Sequence, residues 1–496
     1  MPPSRCARPR NGSRRAGTRL RRIAAVLVLC VSAQAGFSAE IFTLDGLRVT
    51  ATGDIGPSSL RFDLVVIGDG YIADDFRPGG RWDRDSARLV KNFFERKPFK
   101  ELRSVFNVFV VEAVSLDRGI DDVPGQDTRR TIFNCSYGSD GINRLMTIQD
   151  PKALVRALRN APGADAALLL VNDRRFGGCG AKAEHVPVGA CSNDSRAFAT
   201  LVHELGHSLA NLGDEYEDAQ VAATYALPAP GDLPNPNLTL ARCVDTSSAD
   251  ALIDSLKWGH FLTEPNAKKR YGKGYYEGGF YRTSGVYRPA PLCIMRDDSY
   301  GKFCYVCEEE MTTAIYRRAG RGPGGGVFPA PVPRMKVPMR RAHHLYSMGL
   351  FGETTKEIAR VEKLTAFPAE CRPRIAELRE GIAASLKEGL ARADAAVNAG
   401  EWLIAHELLS LLAVSFEGTD GETAVGTRKE AVTQRAGFAR ELKADREFLR
   451  LQILLKDTRA IAGRPETIRK LVESFIKKHE GTCAAEKARS FVPAAQ

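Results

Sequence analysis

The sequence predicts an α/β layer built around a mainly parallel sheet, followed by an all-α region of helical hairpins. Three observations carry this. Short apolar runs alternate with helix-like segments between about 61 and 171, a Pro- and Gly-rich stretch interrupts the chain at 320–338, and helical apolar spacing dominates beyond it. Alternating strands and helices favour parallel pairing, whereas sustained 3.6-residue periodicity without strand signals packs helix on helix.

The chain opens on charge. Eight arginines (Arg5, Arg8, Arg10, Arg14, Arg15, Arg19, Arg21 and Arg22) precede any acidic residue, the first of which is Glu40. An apolar run from Ile23 to Val31 and the small-x-small pattern Ser32-Ala33-Gln34-Ala35 follow. A basic segment, a short apolar segment and a small-residue cleavage pattern make 1–35 a secretory signal peptide. The apolar run is too short to favour an uncleaved anchor. The 496 residues carry 71 Lys+Arg against 60 Asp+Glu, a formal net charge of +11. Removing 1–35 takes eight positive charges and no negative ones and leaves +3, so the reading as a nucleic-acid binder falls away. No later segment approaches the roughly 18 apolar residues of a membrane span. The mature chain is expected to be secreted or periplasmic, with no transmembrane segment. Its remaining cysteines then enter an oxidising compartment and are expected to form disulfides. Cys179 with Cys191, Cys371 with Cys483, and Cys304-x-x-Cys307 with Cys293 or Cys243 are the pairings considered.

The expected division is a first domain over 36–319, a Pro/Gly-rich linker over 320–341 and a helical domain over 342–496. In the first, Leu64-Val65-Val66-Ile67 reads as a buried strand ending in the turn Gly68-Asp69-Gly70. Ser86 to Phe94 reads as a helix, and Phe106 to Val111 and Ala166 to Val171 as further strands. Gly68-x-Gly70 lacks the third glycine of a dinucleotide fingerprint. Glu184-His185-Val186-Pro187-Val188 reads as an exposed edge strand, where proline is tolerated. Residues 219–292 show no clear period. In the helical region, Ile375, Leu378, Ile382, Leu386 and Leu390 recur at helical spacing, and Trp402 to Phe416, Phe438 to Leu455 and the stripe Ile468 to Ile476 continue the pattern. The hairpins faintly resemble tetratricopeptide-type repeats, without a clean 34-residue period; a simple bundle fits as well.

The segment that carries chemistry is Leu201-Val202-His203-Glu204-Leu205-Gly206-His207-Ser208-Leu209, followed by Asn211-Leu212-Gly213-Asp214-Glu215-Tyr216. His203 and His207 stand one helical turn apart, so both imidazoles project toward one ion. A catalytic zinc needs three protein ligands and an open position for water. Glu204, beside the first ligand, is placed to accept a proton from that water instead of binding metal. On a helical projection of about 100° per residue, Phe198, Leu201, Val202, Leu205, Leu209 and Leu212 share one arc while His203, Glu204 and His207 lie opposite. One face packs and the other does chemistry. Asp214, just past a left-handed turn at Asn211 or Gly213, is the third-ligand candidate; Glu215 and the later Glu308, Glu309 and Glu310 are the alternatives. His406-Glu407-Leu408-Leu409-Ser410 starts in the same way but lacks the second histidine and reads as ordinary helix surface.

His203 to Tyr216 resembles the His-Glu-x-x-His…Asp-Glu-Tyr signature of the IgA-specific metallopeptidase family, a metzincin-like group. Ile67-Gly68-Asp69-Gly70-Tyr71, Pro98-Phe99…Phe106-Asn107-Val108, Val171-Asn172-Asp173 and Cys293-Ile294-Met295…Phe303-Cys304-Tyr305-Val306-Cys307 agree with it, over about 61–315. The resemblance implies a metzincin-like zinc peptidase catalytic domain holding one catalytic zinc, with Asp214 as third ligand and Met295 in a Met-containing turn beneath the metal. Two departures stand out: Asn211 occupies a position often held by Gly, and Gly213 stands where the main metzincin pattern expects His. The expected function is a secreted zinc endopeptidase acting on protein or peptide, with metal ligands His203, His207 and Asp214, Glu204 as general base, and no nucleic-acid partner. The alternative is a secreted binding protein with a structural metal, its helical domain holding a protein partner.

Overall fold

The computed structural model describes residues 48–51, 55–126, 128–322, 325–364, 368–455 and 465–492. The signal peptide expected over 1–35 lies outside them. The first region is built on a six-stranded sheet in the order β1-β3-β2-β6-β8-β7. Its strands are β1 (Arg48–Ala51), β2 (Phe62–Asp69), β3 (Phe106–Glu112), β6 (Ala166–Val171), β7 (Gly178–Ala183) and β8 (Val186–Ser192). A small pair, β4 (Cys135–Ser136) and β5 (Thr147–Ile148), lies between β3 and β6 in sequence. β2 runs parallel to both β3 and β6, and β6 runs parallel to β8. β1 and β7 close the two edges antiparallel. The expected mainly parallel sheet is therefore present, with antiparallel edges added.

Every residue of β2 is buried, because helices or loops cover both faces of the sheet. Leu64, Val66, Val108, Leu168 and Leu170 point to the face that carries α1 (Arg81–Phe94), α3 (Ala197–Ala210) and α8 (Tyr305–Arg318). Val65, Ile67, Phe109, Val111, Leu169 and Val188 point to the other, which carries α2 (Pro151–Leu158). Asp69, wholly buried at the end of β2, organises the loop beyond β3: its carboxylate accepts from Thr131 Oγ1 at 2.9 Å, Cys135 N at 3.1 Å and Phe133 N at 3.2 Å.

Residues 184–188 do not form the edge. They turn the chain into β8, which is interior, and the edge is β7. Pro187 is accommodated because β6 pairs with β8 only from Val188 onward, so Pro187 faces Lys182 of β7 alone.

Residues 219–292 hold four short helices, α4 (Ala219–Ala222), α5 (Ala249–Ser255), α6 (Gly259–Leu262) and α7 (Ala267–Tyr271). With them comes a three-stranded sheet of β9 (Thr239–Leu240), β10 (Tyr276–Gly279) and β11 (Arg282–Arg288). The second region is all helical, as expected: α9 (Arg340–Ser347), α10 (Phe351–Glu362), α11 (Cys371–Asn398), α12 (Trp402–Ser415), α13 (Glu422–Thr433), α14 (Phe438–Leu455) and two helices over Pro465–Lys478 and Cys483–Ala488. Val327 packs into its core, and the stretch around it is pinned by Val327 N to Ser415 Oγ at 3.1 Å and Ala330 N to Ser385 Oγ at 3.0 Å. Glu407, expected at an ordinary surface, faces Arg61 of the sheet region at 2.7 Å and Arg321 at 3.5 Å, all three side chains largely buried. Ile453 of α14 joins the core beneath the sheet. Among the described residues no helix is long and apolar enough to cross a membrane.

The expected disulfides are absent: among the described residues all nine cysteines are free thiols. For two pairings the reason is geometric. Cys179 and Cys191 sit one register step apart on neighbouring strands, so their side chains leave opposite faces of the sheet. Cys371 begins the 28-residue α11, while Cys483 lies against Gly400 just past that helix's other end, roughly 40 Å away at 1.5 Å per residue. Cys304 and Cys307 meet Cys293, while Cys243 stands elsewhere, its Sγ 3.6 Å from Gly231 O.

Candidate metal centre

α3 forms on its apolar stripe: Phe198, Leu201, Val202 and Leu205 are all at most 2% exposed and pack on the sheet. The opposite face carries His203, Glu204 and His207, as the projection predicts. The helix ends at Asn211, which adopts the left-handed conformation with φ 54°, and Leu212 N donates to Gly206 O at 3.2 Å. Asn211, not Gly213, makes the turn. Gly213 is needed for close packing, since a Cβ there would come within 2.5 Å of Leu238. Asn237 braces the turn, accepting from Gly213 N at 2.8 Å and donating to Gly213 O at 2.9 Å.

That turn swings Asp214 back onto the histidines. His203 Nε2 lies 3.0 Å from His207 Nε2 and 3.1 Å from Asp214 Oδ1, which is 3.2 Å from His207 Nε2. His203 Nδ1 donates to Ile294 O at 2.9 Å with Asp298 Oδ1 at 3.0 Å, and His207 Nδ1 donates to Leu212 O at 2.6 Å. Both protons are thus committed outward, and two imidazole lone pairs and a carboxylate oxygen converge on one point. Such a cluster calls for a cation. Ligands about 2.0–2.1 Å from a tetrahedral zinc stand about 3.3 Å apart, close to the three observed separations. The residues fit the metal.

The electrostatics agree. Burial alone would raise the Asp214 carboxyl, but the imidazoles of His207 and His203 hold it far below the ordinary carboxylate range. Burial likewise opposes charge on His203, yet the carboxylates of Asp214 and Asp298 push its pKa well up, so the cluster favours a positive charge at this point, supplied by a proton where no cation is bound. Asp298, itself held by Thr200 Oγ1 at 2.7 Å, orients the first imidazole in the manner of carboxylate–histidine–metal triads. Tyr281, which has φ 66°, donates its hydroxyl to Asp214 Oδ2. Sequence reasoning missed both Asp298 and Tyr281, because each lies more than 60 residues from the motif and no spacing ties either to it.

Glu204 projects from the same face toward the edge strand; a Cβ on Gly180 of β7 would stand 2.7 Å from its Oε2. Among the described residues no hydrogen bond or ion pair occupies its carboxylate. Met295 lies directly beneath the helix: a Cβ on Gly206 would meet its Sδ at 2.9 Å, and its carbonyl accepts from Glu215 N at 2.8 Å.

The other third-ligand candidates stand elsewhere. The Glu215 side chain turns away into a buried group with Cys293, Cys304 and Cys307. Glu309 lies between His260 and His344 at 2.9 Å from each. Glu308, on the same helix as Glu309, lies 3.9 Å from Lys97, and Glu310 directly follows Glu309.

No curated protein matches the chain. A family model described as IgA Peptidase M64 matches residues 51–267, a span that contains His203, Glu204, His207 and Asp214. Over this part the chain is similar to the IgA peptidase M64 family.

Proposed function

We propose that the protein is an exported zinc endopeptidase whose metal ligands are His203, His207 and Asp214 and whose general base is Glu204. The observation that carries this reading is the convergence of three acceptor atoms within 3.2 Å of one another beside an unengaged carboxylate on the same helix face. A zinc ion held there would supply Lewis acidity, polarising the peptide carbonyl and lowering the pKa of water toward about 7. Glu204 takes the proton from the attacking water and returns it to the leaving amine. Asp298 and Tyr281 keep His203 and Asp214 aimed inward, which matters because small misplacements of positioned groups cost rate. Met295 beneath the helix supports the metzincin-like reading of the site. A structural metal in a binding protein would have no use for Glu204.

The substrate has a place to lie. Gly178 N donates to Arg144 O and Gly178 O accepts from Met146 N, so this residue's peptide groups face away from β8. By the two-residue strand period those of Gly180 and Lys182 do the same. An extended peptide adding to that edge would pass beside Glu204, with affinity from main-chain pairing. Export rests on the basic and apolar pattern of residues 1–35.

Purified protein offered a mixed peptide library is expected to cleave it, to lose cleavage on exhaustive chelation and to regain it with zinc. Chelator-insensitive cleavage would contradict the reading.

A further inference from the structure

Behind the site lies a second convergence of donors. The Sγ atoms of Cys293, Cys304 and Cys307 and a carboxylate oxygen of Glu215 all lie within 4.8 Å of one another. Glu215, Cys293 and Cys307 are wholly buried and Cys304 is 6% exposed. Cys307 Sγ stands 3.4 Å from Glu215 Oε1, which also accepts from Asn237 Nδ2 at 2.9 Å. The other oxygen of Glu215, Oε2, is buried with no hydrogen-bond partner. An ionisable group so placed is costly unless something charged engages it.

A disulfide does not solve this. Three thiols make one bridge at most, leaving one sulfur and the carboxylate still facing each other. A divalent ion bound by three sulfurs and one carboxylate oxygen satisfies all four donors at once. Thiolate-rich, closed, four-donor sets suit zinc and disfavour the hard ions calcium and magnesium. The excess negative charge has neighbours to offset it. Cys304 and Cys307 sit at the N-terminus of the 14-residue α8, where free amides and the helix dipole favour anions. Cys304 N already donates to Cys293 Sγ at 3.2 Å, and the buried Arg288 acts on Glu215.

We propose that Glu215, Cys293, Cys304 and Cys307 form a second, structural zinc site. Its position gives it a task. Glu215 follows Asp214 directly, and Cys293 precedes Ile294 and Met295, which hold His203 and floor the helix. An ion here ties the third-ligand turn and the 293–295 turn to the start of α8. The inference does not depend on the catalytic reading, because its donors are a separate set.

The test is metal analysis with cobalt substitution, using the full mature chain and zinc or cobalt alone as probe. Wild type is expected to hold about two zinc equivalents, and His203→Ala with His207→Ala about one, because the sulfur site is intact. That double variant, loaded with cobalt, should show the intense thiolate-to-metal charge-transfer band of a sulfur-rich site. Cys304→Ser with Cys307→Ser should lose the band and one equivalent of metal. Should this cysteine variant fail to fold, wild type and the histidine variant still decide. One equivalent in wild type, with none and no thiolate band in the histidine variant, would overturn the second site while leaving the first intact. A disulfide between any two of Cys293, Cys304 and Cys307, found by peptide mapping of the native protein, would also overturn it. Two equivalents without peptide cleavage would keep the second site and count against the proposed function.

Discussion

At the residue scale, charge buried without compensation is what sets pH behaviour. Asp165, at the start of β6, shows this away from the metal centre. Burial pushes its carboxyl up to about 6, and the nearby Asp63 adds to the rise against a hydrogen bond from Asp63 N and the charge of Arg318. A carboxyl whose folded pKa lies above its unfolded one binds its proton more tightly when folded. The stability it contributes is present below about pH 4 and is lost as pH rises through about 6. Asp165→Asn, which keeps the acceptor for Asp63 N, should be more stable than wild type at pH 8 by on the order of 2 kcal/mol and lose that advantage at pH 4. Denaturant titrations at both pH values check it; a pH-independent difference would remove Asp165 as the cause. The same scale explains what the sequence could convey about the site. His203, Glu204, His207 and Asp214 are legible because helix geometry fixes i and i+4, and the left-handed turn at Asn211 is local. Asp298 and Tyr281 reach the site through tertiary folding alone, so no spacing announces them.

At the element scale, strands buried on both faces gave continuous apolar runs, and β2, β3 and β6 fall where those runs do. The edge was harder to read. β7, Gly178-Cys179-Gly180-Ala181-Lys182-Ala183, is small and mixed because it need not fill a core, whereas Val186-Pro187-Val188 has the β-rich composition of the neighbour that does. Gly180 has a specific reason to be glycine, since Glu204 Oε2 occupies the space of its side chain. If substrate adds to this edge, Lys182→Pro removes one outward donor without disturbing pairing to β8. It should raise KM about tenfold with kcat little changed, the value of one main-chain hydrogen bond. Steady-state kinetics on one peptide substrate decide this. An unchanged KM would move the substrate off β7.

At the scale of the whole molecule, the sheet region and the helical region share buried structure. Arg61 and Arg321 both reach Glu407, whose side chain is 14% exposed. Removing one member of a buried ion group strands the charge of the others. Glu407→Gln is therefore expected to cost about 2–4 kcal/mol, read as a lower denaturant midpoint with unchanged slope; a loss below about 0.5 kcal/mol would show the contact to be incidental. His406-Glu407 reads as surface from sequence because its partners lie 346 and 86 residues away, and the disulfide pairings fail because compartment says nothing of which faces cysteines leave. The candidate metal centre, by contrast, draws on one helix, one turn and the distant Asp298 and Tyr281, and the account stands on the division of labour proposed there between ligands and base. Glu204→Gln measures that division directly. The variant should retain the zinc held by His203, His207 and Asp214 while hydrolysis of a cleaved peptide falls by at least about a hundredfold. Zinc retained with undiminished cleavage would contradict the account.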